Sequence, residues 1–185
     1  MQWKIPLSDI DFGSEERAAV DSVLQSKWLT MGSVTEEFEQ AFAAYVGAKY
    51  AIAVTNATAA LHLCCVVAGL GPDDEAIIPS LTFVATANAV RYTGARPVFA
   101  DINGEDDLHI SYHSIEKAIT ERTRAIIVVH YGGYACDMPS IMKLADERGL
   151  KVIEDAAHAI GSELGAIKLG IWGDMGCLVF SQIKI

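Results

Sequence analysis

The sequence predicts an α/β fold, a three-layer α/β/α arrangement with a mostly parallel sheet between two layers of helices. Short, β-rich apolar runs alternate with helical patterns along most of the 185 residues, as in repeated βαβ units. The runs are continuously apolar, which is typical of parallel strands covered on both faces. A chain of this length can build one hydrophobic core. We therefore expect residues 1–185 to form a single domain.

Two helices open the chain, at about 14–26 and 34–46. In "SVTEEFEQAFAAYVG" the pair Ser33 and Glu36 matches a capping box, and Gly47 is a typical helix end. Aromatic residues recur at helical spacing in this second segment and predict one buried face: Phe38, Phe42 and Tyr45.

A buried strand is predicted next, at "YAIAV" (50–54), followed by the helix "ATAALHLCCVVAGLG". That helix is apolar on nearly every side, so we expect it to be interior. The later strands are "AIIP", "PVFAD", "RAIIVVH", "KVIED" and "GCLVF". The later helices run from about Phe83 to Tyr92, along "SIEKAI", and along "MPSIMKLADERG" with Asp137 as its cap.

Composition excludes several classes of function. The formal net charge is −10 and no Lys/Arg cluster occurs, which argues against nucleic-acid binding. No apolar stretch reaches the roughly 20 residues of a membrane span, and "MQWKIPLSDIDFG" lacks the apolar core of a signal peptide, so we expect a cytoplasmic protein. Cys64, Cys65, Cys136 and Cys177 have neither zinc-site nor disulfide-framework spacing, and we expect small core residues.

In parallel α/β folds, ligands bind beyond the carboxyl ends of the strands. Neither G-x-G-x-x-G nor G-x-x-x-x-G-K-[ST] is present, so a dinucleotide site or a P-loop has little support. The candidate ligand-binding segments are therefore those that directly follow predicted strands: 55–58, 80–83, 130–133 and 155–158.

The segment "VTNATAAL" places Asn56 and Thr58 at the opening of a helix. The unpaired N–H groups and the dipole at a helix start favour an anion such as phosphate, and the Thr58 hydroxyl would add a donor. The alternative is that Asn56 or Thr55 only caps the helix.

Two further segments carry polar groups at strand ends. In "VIEDAAHAIG", Asp155 ends a buried strand and needs a donor or a positive partner; a protonated cofactor ring nitrogen would serve, and His158 is close enough to share the site. The alternative is that Asp155 caps the following turn and that His158 is a hydrogen-bonded core histidine. In "VHYGG", His130 and the glycine pair are interpreted as a turn.

Phe83 and Lys184 complete the set of candidates. Phe83 follows a strand end, where its ring either lies on a planar cofactor or packs in the core. Lys184, in "VFSQIKI", is a Schiff-base candidate if apolar surroundings keep its amine neutral; the alternative is a lysine at a frayed end. Pyridoxal phosphate requires four such groups together: a phosphate-binding helix start, a ring that stacks on the cofactor, an aspartate and a lysine.

The chain also resembles the DegT/DnrJ/EryC1/StrS family of sugar aminotransferases. The likeness is carried by the opening "IPLSDIDFGSEERAAVDSVLQSKWLTMGSVTEEFEQAFAAYVGAKYAIAVTNATAALHL" and by "PSLTFVATANAV", "GARPVFADI", "TRAIIVVHYGGYACDM", "VIEDAAHAIGS" and "GDMGCLVFSQIK". It implies a fold-type I enzyme that depends on pyridoxal phosphate (PLP), usually a homodimer. It also implies a nucleotide-linked keto-deoxysugar as substrate and L-glutamate as amino donor.

The resemblance implies roles for individual residues. Phe83 would stack on the cofactor ring, Asp155 would pair with the pyridine nitrogen, His158 would lie near the ring hydroxyl, and Lys184 would form the Schiff base. Thr58 and the backbone at Ala57 and Ala59 would hold the phosphate. The family commonly reads S-F-H-x-x-K before the lysine, whereas this chain has Val179 for the serine and Ser181 for the histidine. Ser181 is the candidate substitute for the missing phosphate ligand.

Family members continue past the lysine with a glycine-rich turn, another strand and a small C-terminal domain. The sequence therefore predicts an incomplete large domain, from a fragment or a shortened gene product, with weak or no activity alone. Two alternatives stay open. One is a sugar dehydratase, a branch that has histidine at the lysine position, so Lys184 argues against it. The other is an inactive binding or dimerisation module.

Overall fold

The computed structural model describes residues 11–180. They form two compact units: residues up to Ala53 together with Phe180, and Val54–Val179. Within the described range, no helix is both long enough and apolar enough to cross a membrane.

The first unit contains helices α1 (Ser14–Ser26) and α2 (Ser33–Val46), both close to their predicted positions. The predicted capping box of α2 is wrong, because the N-cap is Gly32 and Ser33 already lies in the first turn. The carbonyl of Gly32 accepts from the Glu36 N–H at 3.0 Å. The predicted end is confirmed, since Gly47 closes α2 with φ of 82°, in the left-handed region that glycine adopts without strain.

The aromatic side chains of α2 do not form the buried face that their spacing predicts. Phe38 is 41% exposed and Tyr45 is 53% exposed, whereas the smaller Ala43 and Val46 are buried. The rings pack along the helix surface instead. Phe38 and Phe42 stack at 5.9 Å between centroids, and Phe180 meets both rings edge-on at 5.3 and 5.2 Å.

The predicted strand at 50–54 is also wrong. Residues 51–54 are irregular, and Tyr50 and Ile52 are 74% and 78% exposed. The N–H of Ala53 donates to a side chain, the Glu39 carboxylate, at 2.7 Å. A strand exists only where its backbone pairs with a neighbour, and no strand of residues 11–180 pairs with this segment.

The second unit is built around a five-stranded parallel sheet with the order β2-β1-β5-β6-β9. Its strands are β1 (Glu75–Pro79), β2 (Arg96–Ala100), β5 (Thr123–Val129), β6 (Lys151–Asp155) and β9 (Met175–Cys177). Two antiparallel hairpins are added, β3 (Ile102–Gly104) with β4 (Asp107–Ile110), and β7 (Glu163–Leu164) with β8 (Ile167–Lys168). The helices are α3 (Ala57–Val67), α4 (Val84–Tyr92), α5 (Tyr112–Ala118) and α6 (Met138–Arg148).

Helices cover both faces of the sheet, which confirms the predicted three-layer fold. On one face α3 and α4 pack on the sheet through one set of buried residues: Leu61, Cys65, Ala89, Val90, Ile78, Ile127 and Ile153. On the other face α5 and α6 pack through a second set: Ile115, Ile141, Leu144, Ile77, Ile126 and Val128. The prediction that α3 is interior holds for one side only, because Leu63, Val66 and Val67 are 49% to 75% exposed.

The chain leaves neighbouring strands toward opposite faces of the sheet. After β1 it enters α4 on one face, whereas after β5 it enters α6 on the other. Such a switch point opens a crevice at the carboxyl ends of the strands. The residues that follow β1, β5 and β6 therefore lie at one edge of the sheet.

A buried carboxylate fixes the opposite, amino-terminal edge. Glu75 opens β1, is 2% exposed, and accepts from the Thr120 hydroxyl at 2.6 Å and from Arg122 at 2.8 Å. The Thr120 hydroxyl, against the effect of burial and with help from Arg122 and Arg96, holds the pKa of Glu75 below its usual range.

Candidate functional site

Asp155 is the last residue of β6 and lies at the carboxyl edge of the sheet. It is only 6% exposed, and its Oδ2 accepts from the Thr86 hydroxyl at 3.2 Å while its Oδ1 accepts from the Ala157 N–H at 3.2 Å. Because the Thr86 hydroxyl donates its proton to Asp155, it accepts from the Thr82 hydroxyl. The two hydroxyl oxygens are 2.7 Å apart. A chain of two hydroxyls, carried by α4 and by the loop before it, thus orients the carboxylate.

His158 follows three residues later and is exposed. Its Nδ1 accepts from the Gly132 N–H at 3.3 Å, so the neutral ring carries its proton on Nε2. Gly133, at φ of 84°, passes so close that a Cβ there would lie 2.9 Å from the His158 carbonyl oxygen. The glycine pair of "VHYGG" therefore does more than turn the chain, since it lets the loop after β5 pack against the loop after β6.

The start of α3 is the segment for which the sequence predicts either a phosphate site or a simple helix cap. Asn56 caps the helix, and its Oδ1 accepts from the Ala59 N–H at 2.9 Å. The capping alternative is thus what the structure contains, and the Ala59 N–H is already engaged. Ala57 is buried and Thr58 is half-buried; within residues 11–180 no hydrogen bond engages the Thr58 hydroxyl. The first N–H groups of a helix have no acceptor within it.

Phe83 occupies the N-cap position of α4, directly after the loop that follows β1. Its ring is 63% exposed, so Phe83 is not the core residue that the packing alternative describes. Lys184 and Ser181 lie outside the described residues, and their predicted roles stay predictions.

Glu154 is a second buried carboxylate at the same strand end, and the sequence predicted its position there but neither its partners nor a role for it. Glu154 and His130 are both fully buried, and His130 Nε2 donates to Glu154 Oε2 at 2.9 Å because Nδ1 accepts from the Cys136 N–H. The carboxylate also accepts from the N–H groups of Gly170 at 2.8 Å and Gly173 at 2.7 Å. Glu154 therefore holds together the loop after β5 and the loop before β9.

The two adjacent carboxylates of β6 face opposite sides of the sheet, as neighbours in a strand do. Asp155 faces α4, and Glu154 faces the loop that contains Gly170 and Gly173. The adjacency in "VIED" was a usable signal, because a buried strand that ends in two acids needs two separate sets of donors.

The predicted site residues that lie within 11–180 are supplied by elements of the second unit that pack on one face of its sheet or end its strands. Asp155 and His158 come from the end of β6, Phe83 from the end of β1, and Thr58 from the start of α3, which packs on the same sheet. A cavity of about 340 Å³ that includes Lys151 and Asp174 lies at the opposite edge and contains none of them.

Comparison with known proteins gives a consistent result. The model of the DegT/DnrJ/EryC1/StrS aminotransferase family matches residues 11–185. The chain is 44% identical over 184 residues to the spore coat polysaccharide biosynthesis protein SpsC of Bacillus subtilis (strain 168), covering 100% of this chain and 46% of SpsC. It is 45% identical over 172 residues to the uncharacterized protein MJ1066 of Methanocaldococcus jannaschii, covering 93% of this chain and 44% of MJ1066. The chain thus spans about half the length of these relatives.

Solved structures share the fold. The PLP-form of Spr1654 from Streptococcus pneumoniae superposes with a TM-score of 0.93 at 29% identity, covering 98% of this chain and 50% of Spr1654. DesV from S. venezuelae, solved in complex with a ketimine intermediate, superposes with a TM-score of 0.82 at 41% identity, covering 85% of this chain and 42% of DesV. With the family model matching nearly the whole chain, this protein belongs to the DegT/DnrJ/EryC1/StrS aminotransferase family.

Proposed function

We infer that this chain carries the cofactor-binding part of a PLP-dependent sugar aminotransferase and that residues 1–185 act as one cofactor-binding domain. The observation that carries the proposal is Asp155: a buried carboxylate at the carboxyl edge of the sheet, oriented by Thr86 and by the Ala157 N–H. When bound, PLP supplies an electron sink that depends on a protonated pyridine nitrogen, and a fixed carboxylate keeps that nitrogen protonated.

The residues present fit the chemistry of this cofactor. Asp155 offers a carboxylate that can pair with a protonated ring nitrogen, and the exposed ring of Phe83 offers a flat apolar surface. The Thr58 hydroxyl and the first N–H groups of α3 are donors for a phosphate, although Ala59 already donates to Asn56. The donor set near the phosphate would then be completed by Ser181.

The remaining residues of the proposal act on protons. His158 carries its ring proton on Nε2, because Nδ1 accepts from Gly132, so it can donate to an oxygen of the cofactor ring. Lys184 would hold the cofactor and, once displaced by the amino donor, would move a proton as a general base. Asp155 acts through its carboxylate oxygens, which Thr86 and the Ala157 N–H hold in place.

The substrates are the finer part of the proposal. The name of SpsC refers to spore coat polysaccharide biosynthesis, which supports a sugar precursor of a polysaccharide. We assign L-glutamate as amino donor and a nucleotide-linked keto-deoxysugar as acceptor. In this assignment, the dehydratase alternative is disfavoured because the chain has lysine at position 184.

Trapping of the Schiff base tests the proposal directly. The 185-residue chain is incubated with PLP, reduced with sodium borohydride, and mapped by peptide mass spectrometry. We expect the label on Lys184, its loss in Lys184→Ala, and its retention in Lys143→Ala, a control at an exposed lysine on α6. A folded chain that acquires no label at Lys184 would refute the proposal in favour of an inert binding module.

A homodimer is also part of the proposal. Large apolar side chains are exposed in the first unit: Phe12, Val20, Leu24, Trp28, Leu29, Met31 and Val34. Apolar patches of this kind favour contact with another protein surface. Sedimentation should give twice the monomer mass for the chain and the monomer mass for Leu29→Lys, with Val67→Lys on α3 as the control. A monomeric wild-type chain would contradict the dimer.

A further inference from the structure

Two cysteines that are far apart in sequence meet inside the second unit. Cys64 lies on α3, Cys177 is the last residue of β9, and their Sγ atoms are 3.5 Å apart. Formation of a disulfide bond of about 2.05 Å therefore needs an approach of only about 1.5 Å. The spacing of the cysteines along the chain gave no indication of this pair, because 113 positions separate them.

The two sulfur atoms differ in exposure. Cys64 is half-buried, whereas Cys177 and the neighbouring Cys65 are buried. A reagent from solution therefore reaches Cys64 first, and Cys177 lies directly behind it.

The two thiols also differ in acidity. The hydrogen bond from the Cys177 thiol lowers the pKa of Cys64, and the same bond, with burial, raises the pKa of Cys177. Burial raises the pKa of Cys65 and of Cys136 to about 12. Thiolates are the reactive form of cysteine, so Cys64 is the nucleophile of the four and Cys177 is placed to react second.

We propose that Cys64 and Cys177 form a thiol modification site that reacts with small organic disulfides and closes into an intrachain disulfide. This inference is independent of the proposed aminotransferase function, since it uses none of the residues assigned to PLP.

The reaction balances in two exchange steps. The Cys64 thiolate attacks one sulfur of the organic disulfide, forms a mixed disulfide, and releases one thiolate of the reagent. The Cys177 sulfur then attacks Cys64 Sγ, forms the protein disulfide, and releases the second thiolate of the reagent. The proton of Cys177 passes to that leaving thiolate. The protein loses two electrons and the organic disulfide gains them, so one protein disulfide and two small thiols result.

Closure of this bond would join α3 to β9, an edge strand of the sheet formed by residues 11–180. A link across more than 100 positions restricts the unfolded chain strongly, so the oxidised form should unfold at a higher urea concentration than the reduced form. Both elements lie within Val54–Val179, and the link therefore acts inside one compact unit.

The test is oxidation of the folded chain by oxidised glutathione, followed by thiol counting, intact mass and tryptic mapping. We expect the count of free thiols to fall from four to two and the mass to fall by about two daltons through loss of two thiol hydrogens. The map should join peptide 50–91 to the peptide that begins at Leu169. Dithiothreitol should reverse each change.

Single substitutions assign the roles. Cys177→Ala should stop at a mixed disulfide of Cys64 with glutathione, and Cys64→Ala should remain unreactive. Cys65→Ala and Cys136→Ala are the controls and should form the intrachain bond as the wild-type chain does. Circular dichroism verifies that each variant is folded. If one is not, fragmentation of the linked peptides from the wild-type chain decides between Cys64 and Cys65, since both lie in peptide 50–91.

Three results would overturn the proposal: four free thiols after oxidation of the folded chain, a bond that includes Cys65 or Cys136, or a bond that forms only in denaturant. Disulfide-linked dimers in place of the intrachain bond would overturn it as well.

Discussion

Replacement of Thr86 by valine removes a hydroxyl while it keeps the size and branching of the side chain. The hydroxyl is buried, donates to Asp155 Oδ2 at 3.2 Å and is 2.7 Å from the Thr82 hydroxyl. A hydrogen bond to a charged group contributes about 1.5–3 kcal/mol to stability. We therefore expect Thr86→Val to lower the free energy of unfolding by about 2 kcal/mol.

Two other variants calibrate this value. Thr86→Ser keeps the hydroxyl and loses one methyl group, which costs about 0.8 kcal/mol. Thr93→Val removes a hydroxyl at the other end of α4, where it donates to the neutral carbonyl of Val90 at 2.7 Å, so a cost of about 1 kcal/mol is expected. The measurement is urea unfolding of the 185-residue chain, followed by circular dichroism.

A double-mutant cycle attributes the effect to the Asp155 carboxylate. If the hydroxyl acts on the charge, Thr86→Val should cost clearly less in an Asp155→Asn background than in the wild-type chain. Equal costs in the two backgrounds, or a cost of Thr86→Val no larger than that of Thr93→Val, would refute the reasoning.

Three further predictions concern stability. The lowered pKa of Glu75 contributes stability that is present above about pH 4.3, the ordinary glutamate value, and is lost as the pH falls through the lowered pKa; urea midpoints measured between neutral and acid pH should show this loss, and Glu75→Gln should remove it. Gly133→Ala should lower the melting temperature more than Gly149→Ala, because both have positive φ but only the first places a Cβ 2.9 Å from a carbonyl oxygen; equal shifts would argue against the close approach. Glu154→Ala should cost about 3–5 kcal/mol, since it leaves the buried donors of His130 and Gly170 and the partly buried N–H of Gly173 without an acceptor, and calorimetry that gave less than 1 kcal/mol would contradict this.

Local pattern was sufficient where short-range chemistry decides the structure. The helix at 138–148 was predicted with its cap, and Asp137 Oδ1 accepts from the Ser140 N–H at 3.3 Å. The parallel sheet followed from continuously apolar runs, and the edge position of Asp155 and Phe83 followed from the strand ends. These features depend on neighbours within a few positions, which the sequence contains.

Long-range pairing was not accessible in the same way. The run at 50–54 is apolar enough for a strand, but a strand also needs a neighbouring strand to pair with. The apolar pattern of the run does not indicate which segment, if any of residues 11–180, pairs with it. Likewise, the His130–Glu154 bond and the Cys64–Cys177 contact join residues 24 and 113 positions apart. The residue types of these two pairs can be read from the sequence, whereas their contact in space follows from the order of the strands in the sheet.

The two acids that end β6 have a consequence for insertion and deletion variants. Glu154 and Asp155 are chemically similar, yet they serve opposite faces with different donors. A slip of one residue in this strand would send each acid to the other's face, where its own donors are missing. We therefore expect the length of "KVIED" to tolerate neither gain nor loss of a residue.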